Sequence, residues 1–136
     1  MPVEGLSELF AAIDRISTEA GQVAESVVTS GAVQAVREAQ ANFQGSHKKG
    51  QPHVGGDGPN VVTGNLRRSI RYTPPEHLGL FEYTTQVGPT AVYGRAVELG
   101  YAARNMRPHP YFTPAAAKVM ASLNEVAAAS WAKFLR

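Results

Sequence analysis

The chain of 136 residues contains no cysteine, and it has no long apolar run. The absence of cysteine excludes disulfide bonds, thiolate zinc sites and a cysteine nucleophile. No segment reaches the roughly 18 apolar residues that a membrane-spanning helix needs. The first residues, MPVEGLSELF, lack the basic region and apolar core of a secretory signal. We therefore expect one domain, residues 1–136, that folds without crosslinks in a reducing cytoplasm and contacts no membrane.

Large apolar side chains are also scarce. Aromatic residues make up 8% of the chain, and the hydrophobic 43% includes 20 alanines and 14 valines. Alanine favours helices but removes little apolar area from water when it is buried. We expect a thin core that is stabilised by neighbouring subunits.

Motifs that carry catalysis are missing. The chain has no H-E-x-x-H, G-x-S-x-G, P-loop or G-x-G-x-x-G pattern, and the GGDG of residues 55–58 lacks the strand and helix of a phosphate loop. His47 and His53 are six residues apart, which fits no standard metal-ligand spacing. We expect no catalytic residue, cofactor or metal. The alternative is a hydrolytic site built from the four histidines and nearby carboxylates.

Charge is distributed unevenly along the chain. Residues 1–44 carry six acidic and two basic side chains, whereas residues 45–112 carry eight basic and four acidic ones. Such a polarised subunit suits head-to-tail packing, in which an acidic face meets a basic one. A monomer with unevenly solvated charge is the alternative. The net charge of +2 does not indicate a dedicated nucleic-acid-binding module, the third interpretation.

Apolar periodicity predicts a long helix at each end of the chain. Residues 4–43 repeat apolar side chains every three or four positions, with a kink or break at Gly31. A helix this long would extend beyond a domain of this size, so part of it should pack on another subunit. Residues 115–135 form the last helix, with Thr113 as its N-cap and an apolar stripe that includes Met120.

The centre of the chain predicts short strands and turns. Residues 45–60 form a flexible loop rich in glycine. GNLRRS forms one or two helical turns after the N-cap Thr63. A strand at residues 70–73 follows and stops at the two prolines. A strand over residues 80–87 buries Phe81, Tyr83 and Val87, and Gly88-Pro89 is a turn. A short helix over residues 90–99 packs through Val92, Ala96 and Leu99 and ends at Gly100, and residues 101–112 form an edge strand or extended arm.

Three segments in this order carry a family resemblance. Over a matched stretch from about Thr63 to Lys118, the segments TGNLRRSI, VGPTAVYGRAVELG and RPHPYFTPAAAKVM are similar to segments of the head–tail connector proteins of long-tailed double-stranded DNA phages. These are also called neck or tail-completion proteins. The family pattern reads TGxLRxSI, then VG…YAxxVExGT, then PFxxPA. The sequence departs from it at Gly94, where alanine is usual, at Tyr101, where threonine is common, and in PYF.

The resemblance implies an α+β subunit with a long N-terminal helix, a short antiparallel sheet with a small helix, and a C-terminal helix. It implies a structural virion protein, assembled in the host cytoplasm, that forms a homo-oligomeric ring, expected to be hexameric, at the head–tail junction. The ring joins the portal complex to the tail tube, contacts head-completion (stopper) and tail-terminator or tail-tube rings, and lets double-stranded DNA pass without sequence-specific binding. The alternative is a tail terminator that caps the tail tube.

A ring of this kind needs subunit contacts and a lumen rather than a catalytic group. We expect Glu98 to pair with an arginine of a neighbouring subunit, with an exposed pair inside one subunit as the alternative. Aromatic side chains nearby are core residues or interface anchors. The candidate interface residues are Glu98, Arg95, Arg104, Arg107, Tyr101, Tyr111 and Phe112, together with Tyr93 as an aromatic anchor. The candidate residues that face the lumen and DNA are Lys48, Lys49, Arg67, Arg68 and Arg71, with a solvated face or contacts to adjacent rings as the alternative.

Overall fold

Two long helices form the frame of the subunit. The computed structural model describes residues 5–49, 51–54 and 58–135. Helix α1 spans Leu6–Ala41 and helix α4 spans Phe112–Phe134, with α2 (Asn65–Ser69) and α3 (Gly94–Leu99) between them. The strands are β1 (Ile70–Tyr72), β2 (Glu76–Gly79), β3 (Glu82–Thr84) and β4 (Val87–Pro89). A 3-10 helix spans Ala102–Arg104. The predicted α+β fold is confirmed.

Helix α4 runs antiparallel along the second half of α1. Near the start of α4, Lys118 forms an ion pair with Glu38 at 3.0 Å between Nζ and Oε2. Further along, Leu123 packs on Gly31, and the last turn of α4 lies beside Glu19 and Val23. The seam on α1 consists of small residues, which let the two backbones approach closely: Ala20, Gly21, Gly31, Ala32, Ala35 and Ala39.

Helix α1 is continuous, so of the two alternatives expected at Gly31, a kink or a break into two helices, the break is wrong. A Cβ atom added at Gly31 would lie 3.1 Å from Leu123 Cδ1. Glycine inside a helix costs only about 1 kcal/mol relative to alanine, which the strong helix formers that follow it, Ala32, Gln34 and Ala35, can offset. Gly31 therefore serves the close approach of α4 and does not interrupt the helix.

The core lies where the C-terminal end of α1 meets α2, β1 and the start of α4. Ala39, Leu66, Ile70, Tyr111 and Ala115 are its buried members. The partly buried side chains packed around them are Val36, Phe43, Ala91, Val97 and Phe112. The core thus occupies one end of the long α1–α4 pair.

Two antiparallel strand pairs replace the single strand that the sequence predicts over residues 80–87. β1 pairs with β4, with Ile70 opposite Pro89, and β2 pairs with β3. Gly88 and Pro89 are therefore in a strand and not in a turn, and Phe81 is half exposed at the tip of the second pair.

A cluster of polar contacts holds the point where the two strand pairs meet. The Thr85 hydroxyl donates to the Thr73 carbonyl oxygen at 2.5 Å, and the Gln86 N–H donates to the Thr73 hydroxyl at 2.9 Å. The Thr73 N–H donates to the Gln86 carbonyl oxygen at 2.8 Å. These contacts join residues that are 12 or more positions apart in sequence. The alternation of apolar and polar residues within one strand does not reveal them.

The segments around α3 and α4 also differ from expectation. Val92 lies before α3 and is 97% exposed, and Leu99 and Met120 are exposed as well, so none of the three packs as predicted. Residues 101–106 form a hydrogen-bonded loop with the 3-10 helix and not an extended arm. Helix α4 begins at Phe112, so Thr113 lies in its first turn and is not its N-cap.

Gly94 offers a test of how tightly α3 packs on β4. A Cβ atom there would lie 2.7 Å from both Cβ and Cγ of Pro89 and 3.0 Å from the Tyr111 hydroxyl oxygen. Overpacking of this kind costs about 1–3 kcal/mol, more than the roughly 1 kcal/mol that alanine gains in a helix. We expect Gly94→Ala to lower the free energy of unfolding measured with denaturant.

Gly88→Ala is the matched control, because a Cβ atom at Gly88 meets nothing within 4 Å. It should change the free energy of unfolding by less than about 0.5 kcal/mol. Equal stability of the two variants would contradict the close packing of α3 on Pro89.

Candidate functional site

Most residues expected at a subunit interface lie on α3 and in the loop that follows it, whereas Tyr111 and Phe112 lie at the start of α4. The Tyr101 N–H donates to the Met106 carbonyl oxygen at 2.9 Å, and the Met106 N–H donates back to the Tyr101 carbonyl oxygen at 3.0 Å. Gly100 enters this loop at φ +81°, with 2.9 Å between its ideal Cβ position and the Met106 oxygen, so only glycine fits. The loop leaves Tyr101, Arg104 and Arg107 exposed, and Arg95 is exposed on α3.

Glu98 has a different position from the other candidates, because its carboxylate caps α4. Oε2 accepts hydrogen bonds from the N–H groups of Tyr111 at 2.8 Å and Phe112 at 2.9 Å, and Oε1 accepts one from the Thr113 N–H at 2.9 Å. The first N–H groups of a helix have no partner inside it, and a carboxylate there also interacts favourably with the helix dipole. A side chain of α3 thus fixes the start of α4.

The protonation of Glu98 is coupled to this cap. Burial alone would raise the pKa of its carboxyl, but hydrogen bonds from the Thr113 side chain and from the N–H groups of Phe112, Tyr111 and Thr113 outweigh burial and lower the pKa from 4.5. Within the described residues, Glu98 forms no ion pair with an arginine, so the intrachain pair is not made. Its pairing with a neighbouring subunit stays a prediction.

Tyr111 belongs to the subunit's own core, the other possibility that the sequence left open. It is 1% exposed, its hydroxyl donates to the Gly94 carbonyl oxygen at 3.0 Å, and its ring lies 5.2 Å from that of Phe43. Burial and the charge of Glu98 raise its pKa to about 12. The Asn42 side-chain amide also donates to the Tyr111 carbonyl oxygen at 2.9 Å. Tyr111 therefore joins α1, α3 and α4.

The basic residues expected to face a lumen are all exposed but come from three different elements. Arg67 and Arg68 are on α2, Arg71 is on β1, and Lys48 and Lys49 are in the loop after α1. The Arg68 guanidinium donates to Asn65 Oδ1 at 2.9 Å and to the Thr63 carbonyl oxygen at 3.3 Å. The orientation of this set toward DNA stays a prediction.

A groove of about 340 Å³ opens between the segment 43–67 and the segment 93–109. Its apolar lining includes Val62, Tyr93 and Met106, and its polar lining includes Arg67 and three histidines. The rings of His53 and His109 stack with centroids 4.1 Å apart. No group of three or more potential ligands among the described residues has the arrangement of a metal site. The lining residues that the structure describes include no carboxylate.

Asn60 organises the loop that forms one wall of this groove. Its side-chain carbonyl accepts from the Val54 N–H at 2.7 Å and contacts His47 Nδ1 at 2.8 Å. Its side-chain amide donates to the carbonyl oxygens of Val54, at 2.6 Å, and of Gln44. Sequence reasoning missed Asn60, as it missed the cap by Glu98, because both roles consist of contacts between residues distant in sequence. No local pattern signals either role.

The first four turns of α1 project beyond the end of α4. Their apolar side chains recur every three or four residues, as the sequence predicts, yet each is between 41% and 57% exposed. Contiguous exposed apolar surface of this kind marks interaction sites. We call this stripe the α1 tip: Leu6, Leu9, Phe10, Ile13 and Ile16.

A comparison with models of protein families identifies the family of this chain. The family model described as "Bacteriophage HK97-gp10, putative tail-component" matches residues 7–100, more than two thirds of the chain. The chain belongs to the HK97 gp10-like family. No curated protein and no solved structure matches it.

Membership of the HK97 gp10-like family makes the protein a structural tail component of a bacteriophage and a part of the virion. The family resemblance seen in the sequence is confirmed, and the match extends it to α1. The match ends at Gly100, so the loop with Arg104 and Arg107 lies outside it. No helix in the described ranges is long and apolar enough to cross a membrane.

Glu98→Gln tests the cap. The glutamine keeps an acceptor oxygen but removes the charge and donates where the carboxylate accepts, so we expect a loss of about 0.5–2 kcal/mol in the free energy of unfolding at pH 7. Because folding lowers the pKa of Glu98, its contribution is complete above about pH 4.5, the unfolded value, and disappears as pH falls through the lower folded value.

The measurement is denaturant unfolding of both proteins between pH 7 and pH 3. The stability difference between wild type and variant should shrink over the acid part of this range. A difference that does not change with pH would contradict the capping role. Glu125→Gln on the exposed side of α4 is the control and should have little effect.

Proposed function

We propose that the protein forms a closed ring at the head–tail junction of the phage, joins the portal complex to the tail tube and lets DNA pass through its centre. The observation that carries this proposal is the α1 tip, an apolar stripe on a rigid helix that extends past the subunit's own packing, in a chain of a phage tail-component family. Such a surface on a virion protein is buried by another virion protein.

The length of α1 supports assembly over an isolated subunit. Its 36 residues extend about 54 Å at 1.5 Å per residue, and the core lies at the C-terminal end. The thin, alanine-rich core predicted from the sequence is present, since the buried residues of α1 are alanines and glycines. Contacts between copies would supply the apolar burial that one subunit lacks.

A ring through which DNA passes must not retain it. The exposed cations Lys48, Lys49, Arg67, Arg68 and Arg71 belong to three separate elements, and the net charge is only +2. We propose that they line or border the lumen, where scattered cations screen phosphates without forming the dense basic face of a DNA-binding protein. We propose six copies and contacts with a stopper ring on the head side and a terminator or tube ring on the tail side. These contacts require no catalytic group.

Phage that lack this protein test the proposal. We expect filled heads and tails of normal length that remain separate in electron micrographs, because each part assembles on its own and only the joint is missing. Normal joined, infectious particles would contradict the proposal. Tails of uncontrolled length would favour the tail terminator instead, since a cap is what stops tube growth. Supplying the wild-type protein in trans is the control and should restore joining.

DNA binding by the isolated protein separates a ring component from a DNA-binding module. We expect weak or undetectable binding to linear duplex DNA at physiological salt, because the cations are dispersed. Fluorescence anisotropy with a labelled duplex at about 50 and 200 mM salt measures it. Tight binding that falls steeply with salt would favour the DNA-binding module.

A further inference from the structure

We propose that the α1 tip of one copy docks in the groove of a second copy, between Val62, Tyr93 and Met106, and that this helix-in-groove contact joins neighbouring subunits. The inference rests on the proposed self-assembly and specifies the two surfaces that meet. It commits to a second copy of this chain as the occupant of the groove.

The shapes of the two surfaces fit each other. The α1 tip presents apolar side chains at spacings of three and four residues, the pattern of a helix that lies in an apolar groove. The groove has about 340 Å³ of space, and two of its apolar lining residues, Val62 and Tyr93, are 42% and 46% exposed at its surface. Each surface is therefore open and apolar in the isolated subunit.

The charges that border the two surfaces are opposite in sign. Residues 6–19, which contain the α1 tip, carry three carboxylates and one arginine. The described segments that supply the groove walls, residues 43–49, 51–54, 58–67 and 93–109, carry four arginines, two lysines and one carboxylate. That carboxylate is Glu98, which is already bound to the start of α4. An apolar helix stripe with an acidic border thus complements an apolar groove with a basic border.

The α1 tip cannot reach the groove of its own subunit. Phe43, just after the C-terminal end of α1, lines the groove, whereas the α1 tip lies at the opposite end of the same continuous helix. Ile16, the member of the α1 tip nearest to Phe43 in sequence, precedes it by 27 positions, which separates the two by about 40 Å. The contact must therefore be between copies. A tip-in-groove contact that two copies do not exchange reciprocally is heterologous, and it propagates from copy to copy until a ring closes.

Cysteine crosslinking in assembled phage tests this contact, and the chain has no native cysteine to interfere. The variants carry Val62→Cys together with a cysteine at one of four positions: Leu6, Leu9, Phe10 or Ile13. Particles are oxidised and analysed on non-reducing gels. A disulfide forms only where Cα atoms approach within about 7 Å, and scanning four positions covers more than one helical turn.

We expect at least one pair, with Leu9→Cys as the central position, to give a ladder of covalent oligomers that ends at the copy number of the ring. Leu9→Cys alone and Val62→Cys alone should give monomers. The two single variants supplied together should give dimers and nothing larger, because each subunit then carries one cysteine. Met120→Cys with Val62→Cys is the matched control, since Met120 is 66% exposed on α4 and belongs to neither surface.

Three results would overturn the docking of α1 in the groove. The first is a dimer from Leu9→Cys alone, which indicates contact between two α1 tips. The second is a crosslink to a virion protein of different mass. The third is no ladder above that of the Met120 control at any of the four positions. Failure of the proposed function is seen separately in phage that lack the protein. If the cysteine variants give a ladder but phage that lack the protein still show joined heads and tails, the subunit contact stands and the role at the junction is rejected.

A Phe10→Asp variant gives a second measurement that needs no disulfide. It places a charge in the apolar stripe where the side chain is half exposed, so the isolated subunit should keep its helix content by circular dichroism. We expect at least a tenfold drop in its incorporation into particles, whereas Met120→Asp should be incorporated as wild type is. Equal incorporation of both variants would count against the contact.

Discussion

The fold depends on how the start of α4 is fixed. At this point the Glu98 carboxylate accepts three N–H groups of the first turn, and the Tyr111 hydroxyl donates to Gly94 on α3. The Asn42 amide links the same turn to the end of α1. Helices α1, α3 and α4 therefore meet through directional contacts around one buried tyrosine. From this anchor α4 runs back along α1, and the rest of the architecture follows from the length of the two helices.

That arrangement gives the protein two different ends, one with the buried core and one with the exposed α1 tip. Tyr111, Leu66 and Ile70 are buried at the end with the core, whereas the side chains of the α1 tip are between 41% and 57% exposed. Buried alanines and glycines along the seam allow close helix packing but contribute little apolar burial. The five apolar side chains of the α1 tip form the kind of exposed patch that marks an interaction site.

The sequence predicts the two long helices well because their apolar residues recur at the helical period over many turns. The same periodicity cannot tell whether a stripe is covered, so Leu9 and Phe10 look like core residues although both are exposed. The strand boundaries are less predictable, since contacts of Thr73 with Thr85 and Gln86 separate β3 from β4. The sequence singles out Glu98 as an interface residue, but the partners of its carboxylate lie 13 to 15 residues further along the chain, and only the folded structure shows that they belong to the start of α4.

The continuity of α1 constrains how related proteins can vary in length. Each residue turns the helix by about 100°, so inserting one residue between the α1 tip and Gly31 would rotate the stripe to a different face of the subunit. An insertion of seven residues would restore the facing to within about 20° and add about 10 Å of reach. Length changes in this helix should therefore come in steps of whole heptads, and each step would alter the spacing between the α1 tip and the body of the subunit, and with it the diameter of any assembly built on that spacing.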